Sequence, residues 1–391
     1  MVSILFVDDQ PLVLDGIRRM LLAHRRTWSM RFATSGDEAL QVCANDHVDL
    51  IVTDMRMPEM DGATLLEHIA HQYPDMIRVV LSGHSELEAA LRAMNVAHQY
   101  LAKPCEGPAI AHTLRRALVL RDRLPDSRVR RIVNRLGVLP SLPGAVTRLQ
   151  RMLSDPTPNM SEVTEALGRE PGIASKVLQL ANSAFFGPAQ HVASLHVAAP
   201  LLGLSALRHL ASNVQKFELP QIRGGAPGIH PIAFERHGAT VAGIAASLVP
   251  DAPWRDDAYA AGLLHDVGVL VLAARMPADF AAIQARVDAG EPRSIVEREL
   301  LGTDHGEIAG YLLGLWGLPD SIVDAVAAHT RFRADEAGEL DELDVNSALG
   351  VASVLAREWL DEPLYGRTRP EGPRWDEWRD RARGALEREA A

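Results

Sequence analysis

The chain has 391 residues, with 40 basic against 51 acidic side chains and a formal net charge of −11. That length exceeds one compact core and suits two or three domains, and the negative balance argues against a protein that coats nucleic-acid phosphates. Apolar residues at 47% with aromatics at only 5% describe a folded, helix-rich chain rather than a disordered one. Two cysteines, Cys43 and Cys105, are too few for a disulfide framework or a four-thiolate zinc site. The apolar start at Ile4–Val7 closes on Asp8 and Asp9, which predicts neither a signal peptide nor a membrane anchor. The later apolar run Ala258–Ala274 carries His265 and Asp266 near its middle and is too short to span. A cytoplasmic location is expected.

Strand patterns fall at Ile4–Val7, Arg31–Ala33, Val48–Thr53, Arg78–Ser82 and Gln99–Lys103. Helical periodicity fills the gaps at Leu12–His24, Gly36–Ala44, Gly62–Gln72, Ser85–Met94 and Ala109–Leu120. Strands that alternate with helices predict an α/β doubly wound, five-stranded parallel sheet over residues 1–120. In such a sheet, ligands bind beyond the carboxyl ends of the strands. An Arg-rich stretch at 121–133, broken at Pro125, is expected as a solvated linker. Residues 134–335 show helices punctuated by Pro and Gly and predict an all-α bundle. Its helices are placed at Ser161–Gly168, Gly172–Asn182, Pro200–Gln215, Ile232–Leu248, Ala258–Met276, His305–Trp316 and Pro319–His329. Residues 336–391 begin in an acidic loop and end in a polar, loosely held terminal helix.

Asp8 and Asp9 close the first strand and Asp54 the third, so three carboxylates should meet at one edge. They repel unless a hard cation such as Mg²⁺ lies between them. Ser82 ends the fourth strand with a hydroxyl, and Lys103 ends the fifth with an ammonium, followed by Pro104. A nucleophile, a metal, a hydroxyl and a cation are the parts of phosphoryl transfer to a carboxylate.

The segments Leu5–Asp9, Val52–Pro58 with Asp61-Gly62, Leu81-Ser82-Gly83 and Tyr100–Pro104 together resemble the receiver domain of two-component response regulators, a flavodoxin-like fold. The resemblance implies that Asp54 is the phosphoacceptor. Asp9, Asp54 and the Arg56 backbone carbonyl would bind Mg²⁺ directly, and Asp8 through water. Ser82 and Lys103 would hold the phosphoryl group, Tyr100 would be the switch aromatic that swings inward, and Lys103–Pro104 would be cis. The implied partner is a sensor histidine kinase or phosphotransfer protein, and the receiver face is open to homodimerisation.

Histidines at His237, His265, His305 and His329, with Asp266 beside His265, lie on separate predicted helices and could line one metal site. Each alone is more often a satisfied core residue, as His98 and His191 are read. Leu263–Gly268 resembles the signature of HD-type phosphohydrolases. With Leu139–Gly144, Ala181–Gly187 and Ile322–His329, the region resembles the HDOD family of HD-related output domains. HD hydrolases need a later Asp; the position reads Ser353 here, a poor ligand for such a cation. The Gly-Tyr-Pro motif of relatives that cleave cyclic dinucleotides is also missing, since Thr330–Arg333 follow His329. The resemblance therefore implies a non-catalytic output domain that binds a downstream signalling protein, with weak transition-metal binding at a degenerate HD site, and no nucleic acid or membrane partner. The alternative is a phosphorylation-gated, metal-dependent phosphohydrolase.

Overall fold

The structure is a computed structural model that describes residues 1–83, 93–124, 126–137, 139, 145–183, 191–214, 229–362 and 369–390. It divides into two compact units, with the main division between Val138 and Leu139. Most of the predicted helix Ser85–Met94, most of the Leu-Pro opening and Ala184–Gly187 lie outside the described residues, as does the Ser82 side chain.

The first unit is built on strands β1 (Val2–Val7), β2 (Trp28–Ala33), β3 (Leu50–Asp54), β4 (Ile77–Gly83) and β5 (Gln99–Lys103), all parallel, in the order β2-β1-β3-β4-β5. Consecutive residues Ile4, Leu5 and Phe6, and Leu50, Ile51 and Val52, are all fully buried. Apolar runs without alternation are what a sheet covered on both faces requires. The register pairs Val7 with Thr53, Asp54 with Leu81 and Gly83 with Lys103, so the carboxyl ends of four strands lie level.

Helices α1 (Pro11–Met20), α2 (Gly36–Asn45), α3 (Gly62–Gln72) and α4 (Gly107–Arg123) have local start signals. Pro11 opens α1, where a missing N–H costs nothing. Ser35 and Asp61 cap α2 and α3 by accepting the amides of Glu38 and Thr64. Where a solvated linker was expected, α4 runs on to Arg123 and a further helix, α5 (Ser127–Asn134), follows, capped by Asp126. Val129 and Val133 of α5 are buried. Its last carbonyl, Asn134 O, accepts from the fully buried Arg78 guanidinium, which also donates to Val96 O at 2.5 Å and lies 2.9 Å from His98 Nε2.

The second unit is helical and, among the described residues, holds no strand. Its helices are α6 (Ala145–Ser154), α7 (Met160–Leu167), α8 (Pro171–Ala181), α9 (Leu195–Val214), α10 (Pro231–Leu248), α11 (Arg255–Leu264), α12 (Val267–Arg275), α13 (Pro277–Asp288), α14 (Arg293–Leu301), α15 (His305–Leu315), α16 (Asp320–Ala328), α17 (Ala334–Ala337), α18 (Val345–Leu360) and α19 (Pro373–Ala390). Helices α10, α11, α16 and α18 form the centre of the bundle. Their facing residues are small, including Ala242, Ala245, Ala260, Ala261, Ala348 and Ala352, which lets the helix axes approach closely.

Three expectations for this unit are corrected. Ala258–Met276 is not one helix: α11 ends at Leu264 and α12 starts at Val267, so His265 and Asp266 lie in the break. The acidic segment after Arg333 is not wholly a loop, since α17 forms there and buries Ala337. The terminal helix is not loosely held either. Trp375 and Trp378 of α19 are buried edge-to-face, 5.1 Å between centroids, and α19 packs on α10. The run Arg255–Arg275 passes for a membrane span by length and composition, but 83% of its apolar window is buried within the protein.

Candidate functional site

Two clusters of chemistry-bearing side chains stand out, one in each unit. The first occupies the carboxyl edge of the sheet. Asp8 follows β1 directly, Asp54 ends β3 and Lys103 ends β5. Lys103 Nζ donates to Asp54 Oδ1 at 2.5 Å and to Asp8 Oδ2 at 2.7 Å. Asp8 Oδ1 accepts the Gln10 amide at 3.0 Å. Oxygens of Asp8, Asp9 and Asp54 lie within 4.8 Å of one another.

One lysine against three carboxylates leaves the cluster negative. Burial pushes the Asp54 carboxyl above its ordinary range, and the Asp8 charge adds to this, while Lys103 opposes it. Burial works against the Lys103 charge, but its hydrogen bonds to Asp54 and Asp8 outweigh that and raise its pKa. Asp9 Oδ1 is buried with no hydrogen-bond partner among the described residues. Orphaned carboxylate oxygen beside two further carboxylates fits a hard divalent cation with oxygen ligands.

The loop after Asp54 folds back tightly. Gly62 N donates to Met55 O at 3.0 Å, and a Cβ at Gly62 would lie 2.1 Å from Asp54 O. Only glycine allows that approach, while Asp61 beside it caps α3. Arg56 lies in this loop with an exposed side chain. The Lys103–Pro104 peptide is cis. Tyr100 on β5 is 5% exposed, so its ring is already inside in this structure. Its hydroxyl is buried without a hydrogen-bond partner among the described residues, and burial pushes the phenol well above its usual range.

The second cluster brings together all five residues singled out in the bundle. His237 comes from α10, His265 and Asp266 from the α11–α12 break, His305 from the start of α15 and His329 from the end of α16. Helix α12 begins against the His305 backbone, where a Cβ at Gly268 would lie 2.0 Å from His305 O. Four imidazoles point Nε2 at the Asp266 carboxylate. Oδ2 faces His265 at 3.3 Å and His237 at 3.8 Å, and Oδ1 faces His305 at 3.4 Å and His329 at 3.7 Å.

Each Nδ1 is met from behind. His265 Nδ1 lies 2.7 Å from Gly262 O, and His329 Nδ1 lies 2.7 Å from Val326 O. His305 Nδ1 lies 2.6 Å from Glu297 Oε2, and His237 Nδ1 lies 2.8 Å from Glu362 Oε2. Burial works against the Asp266 charge, yet His265, His329 and His305 hold its carboxyl well below the ordinary range. The Nε2 atoms of His237 and His265 are buried without hydrogen-bond partners among the described residues. Imidazoles anchored through Nδ1, with Nε2 free and convergent on a carboxylate, are a donor set for a transition metal.

The cluster opens on a cavity of about 410 Å³. Ser353 lines it, so the place where a later Asp was sought faces the site with a neutral hydroxyl. Glu362 lines it too and was not anticipated from the sequence. Burial pushes its carboxyl up, but His237 and Arg357 lower it further.

Comparison with known proteins agrees with both halves. Residues 4–115 match the response regulator receiver domain family and residues 139–332 the HDOD domain family. The hydrogenase transcriptional regulatory protein HoxA of Cupriavidus necator is 30% identical over 118 residues, which are 30% of this chain and 24% of HoxA. The transcriptional regulatory protein YesN of Bacillus subtilis is 34% identical over 117 residues, 29% of this chain and 32% of YesN. The chain thus spans only a minor part of these relatives' length. The crystal structure of the MmoQ response regulator from Methylococcus capsulatus, 23% identical, covers 64% of this chain and 96% of its own with a TM-score of 0.50, a likeness of fold alone. The chain belongs to the response regulators, with a receiver domain followed by an HDOD domain. Receiver domains bind Mg²⁺ and take their phosphoryl group from a donor such as a histidine kinase.

Proposed function

We propose that this response regulator accepts a phosphoryl group on Asp54 and thereby controls an HDOD domain that acts by binding a downstream signalling protein. The observation that carries this reading is the Lys103 ammonium shared between Asp8 and Asp54, with Asp9 Oδ1 unpartnered among the described residues. Asp8, Asp9 and Asp54, with the Arg56 carbonyl, would hold Mg²⁺, which neutralises phosphate oxygens when bound. Asp54 supplies the attacking oxygen. Lys103 is positioned to pair with the phosphoryl oxygens as charge builds on them, since its ammonium is already within reach of Asp54. Ser82, at the end of β4, would offer a hydroxyl to the same group, and Tyr100 would respond to it. The receiver face is also a candidate homodimer interface.

Treatment of the full chain with acetyl phosphate and Mg²⁺ tests this. One phosphoryl group should add by intact mass, none to Asp54→Asn, and the set of captured proteins should differ between the two. Normal labelling of Asp54→Asn would refute the assignment.

A second reading of the bundle is favoured by the convergence of four Nε2 atoms on Asp266. In that reading the pocket holds a transition metal and the domain is a phosphorylation-gated phosphohydrolase. The non-catalytic reading is preferred because Ser353 puts a neutral hydroxyl where a later Asp ligand was sought, and the cavity's further carboxylate, Glu362, faces His237 Nδ1 instead. Turnover of phosphodiesters with Mn²⁺, Fe²⁺ or Ni²⁺ that His265→Ala abolishes would reverse the order.

A further inference from the structure

The two sides of the Asp266 carboxylate are furnished alike. Each side has one histidine backed by a main-chain carbonyl, His265 by Gly262 and His329 by Val326. Each also has one backed by a carboxylate, His305 by Glu297 and His237 by Glu362. Glu297 belongs to helix α14 and is fully buried. Glu362 arrives differently. Helix α18 ends at Leu360, and Asp361 adopts left-handed backbone with φ 55° and ψ 41°. The amides of Asp361 and Glu362 both return to Arg357 O, the latter at 2.9 Å. That closure ends the helix and sets Glu362 on the cavity wall. Asp is among the few residues that tolerate this conformation in place of glycine.

We propose that Glu362 is a positioning residue that holds His237 as a metal ligand, and so completes the His237–His265–Asp266 side of the pocket for a divalent transition metal. The inference rests on the metal-holding part of the second reading and not on hydrolysis. A carboxylate 2.8 Å from Nδ1 keeps the proton on that nitrogen and the lone pair on Nε2, which faces Asp266. It also raises the ligand's basicity. Among the described residues, Glu362 at Nδ1 and Asp266 at Nε2 are the ionic partners of the His237 ring, which is tilted against His265 at 5.3 Å. Among the described residues lining the cavity, Asp266 and Glu362 are the carboxylates, whereas Ser353 is neutral. The negative charge that Ser353 lacks therefore comes from a turn beyond the end of the same helix. The donor set, imidazole with carboxylate, suits zinc, iron, cobalt or nickel over magnesium.

The test uses the full chain, stripped of metal by chelation and titrated with Co²⁺, whose visible absorption reports the ligand field. Glu362→Ala should bind Co²⁺ roughly 10–100-fold more weakly than wild type. Glu362→Gln, which can still accept from Nδ1, should recover part of the loss. The double variant with His237→Ala should lose no more than His237→Ala alone, because the two act as one unit. Melting of the metal-free proteins checks that they fold, and Glu362→Ser replaces the alanine variant if it does not. Unchanged Co²⁺ affinity in Glu362→Ala, or additive losses in the double variant, overturns the proposal while leaving the metal-holding reading in place. Wild type that takes up no Co²⁺ overturns both.

Discussion

Lys103 Nζ lies 2.5 Å from Asp54 Oδ1, and the same ammonium is 2.7 Å from Asp8. One cation thus spans two strand ends and offsets part of the repulsion among three carboxylates. Removing it in Lys103→Ala should destabilise the metal-free receiver by about 1–3 kcal/mol, because charged acceptors lose their donor. Added Mg²⁺ takes over the neutralising role and should raise the melting temperature of the variant more than that of wild type. Equal Mg²⁺-induced shifts in differential scanning calorimetry would contradict this.

Asp54 itself makes a prediction of opposite sign. Burial and Asp8 raise its pKa in the fold above the unfolded value of about 3.9. A carboxyl raised in this way binds its proton more tightly when folded, so stability falls as pH rises from the unfolded pKa through the folded one. Above that window the loss is constant. Asp54→Asn keeps the shape and removes the charge, so the Mg²⁺-free variant should melt higher than wild type at pH 7. The pH step should also vanish. A less stable variant under those conditions would refute the account.

Asp49 behaves in the reverse way at the opposite edge of the sheet. Its Oδ2 accepts the Ser3 amide at 2.8 Å, while Oδ1 pairs with Arg121 of α4 and lies 2.9 Å from His47 Nε2. Burial pushes its carboxyl up, but the Ser3 amide, Arg121 and His47 together hold it below the ordinary value. The stabilisation is therefore full above about pH 4, the unfolded pKa, and is lost as pH falls through the folded one. Asp49→Asn should cost about 1–3 kcal/mol at pH 7 and flatten the acid limb of the stability profile. An unaltered acid limb would show that the pairing contributes nothing.

The receiver half was legible because parallel-sheet geometry turns chain position into spatial position. Asp8, Asp54 and Lys103 each follow an apolar run, and level strand ends bring them together. The bundle was less legible for a physical reason. Residues on both sides of His265–Asp266 are apolar and buried, so periodicity reads straight through the break between α11 and α12. The five metal-type residues were still identifiable one by one. Glu362 was not, because the missing carboxylate was sought on the helix at Ser353. Glu362 follows a left-handed turn at a residue, Asp361, that carries no glycine signal. The last turn of α4 and the whole of α5 were hidden by arginine content, although Asp126 before Ser127 is a start signal.

The terminal helix α19 had its own signal in Trp375 and Trp378, three residues apart and so on one face of an otherwise polar helix. Both rings are buried, and Arg381 on the same helix reaches Leu248 O at the end of α10 at 3.2 Å. Helix α10 carries His237, so the tail braces the element that delivers one wall of the histidine cluster. Trp375→Ala removes a fully packed ring and should cost about 3–5 kcal/mol, which is a large share of a domain's stability. Arg383→Ala, on the exposed side, should fall within about 0.5 kcal/mol of wild type. Hydrogen exchange read by mass spectrometry should then show faster exchange along α10 in Trp375→Ala, with the strands of the receiver unchanged. Protection of α10 equal to that of wild type would mean that α19 covers the bundle without bracing it.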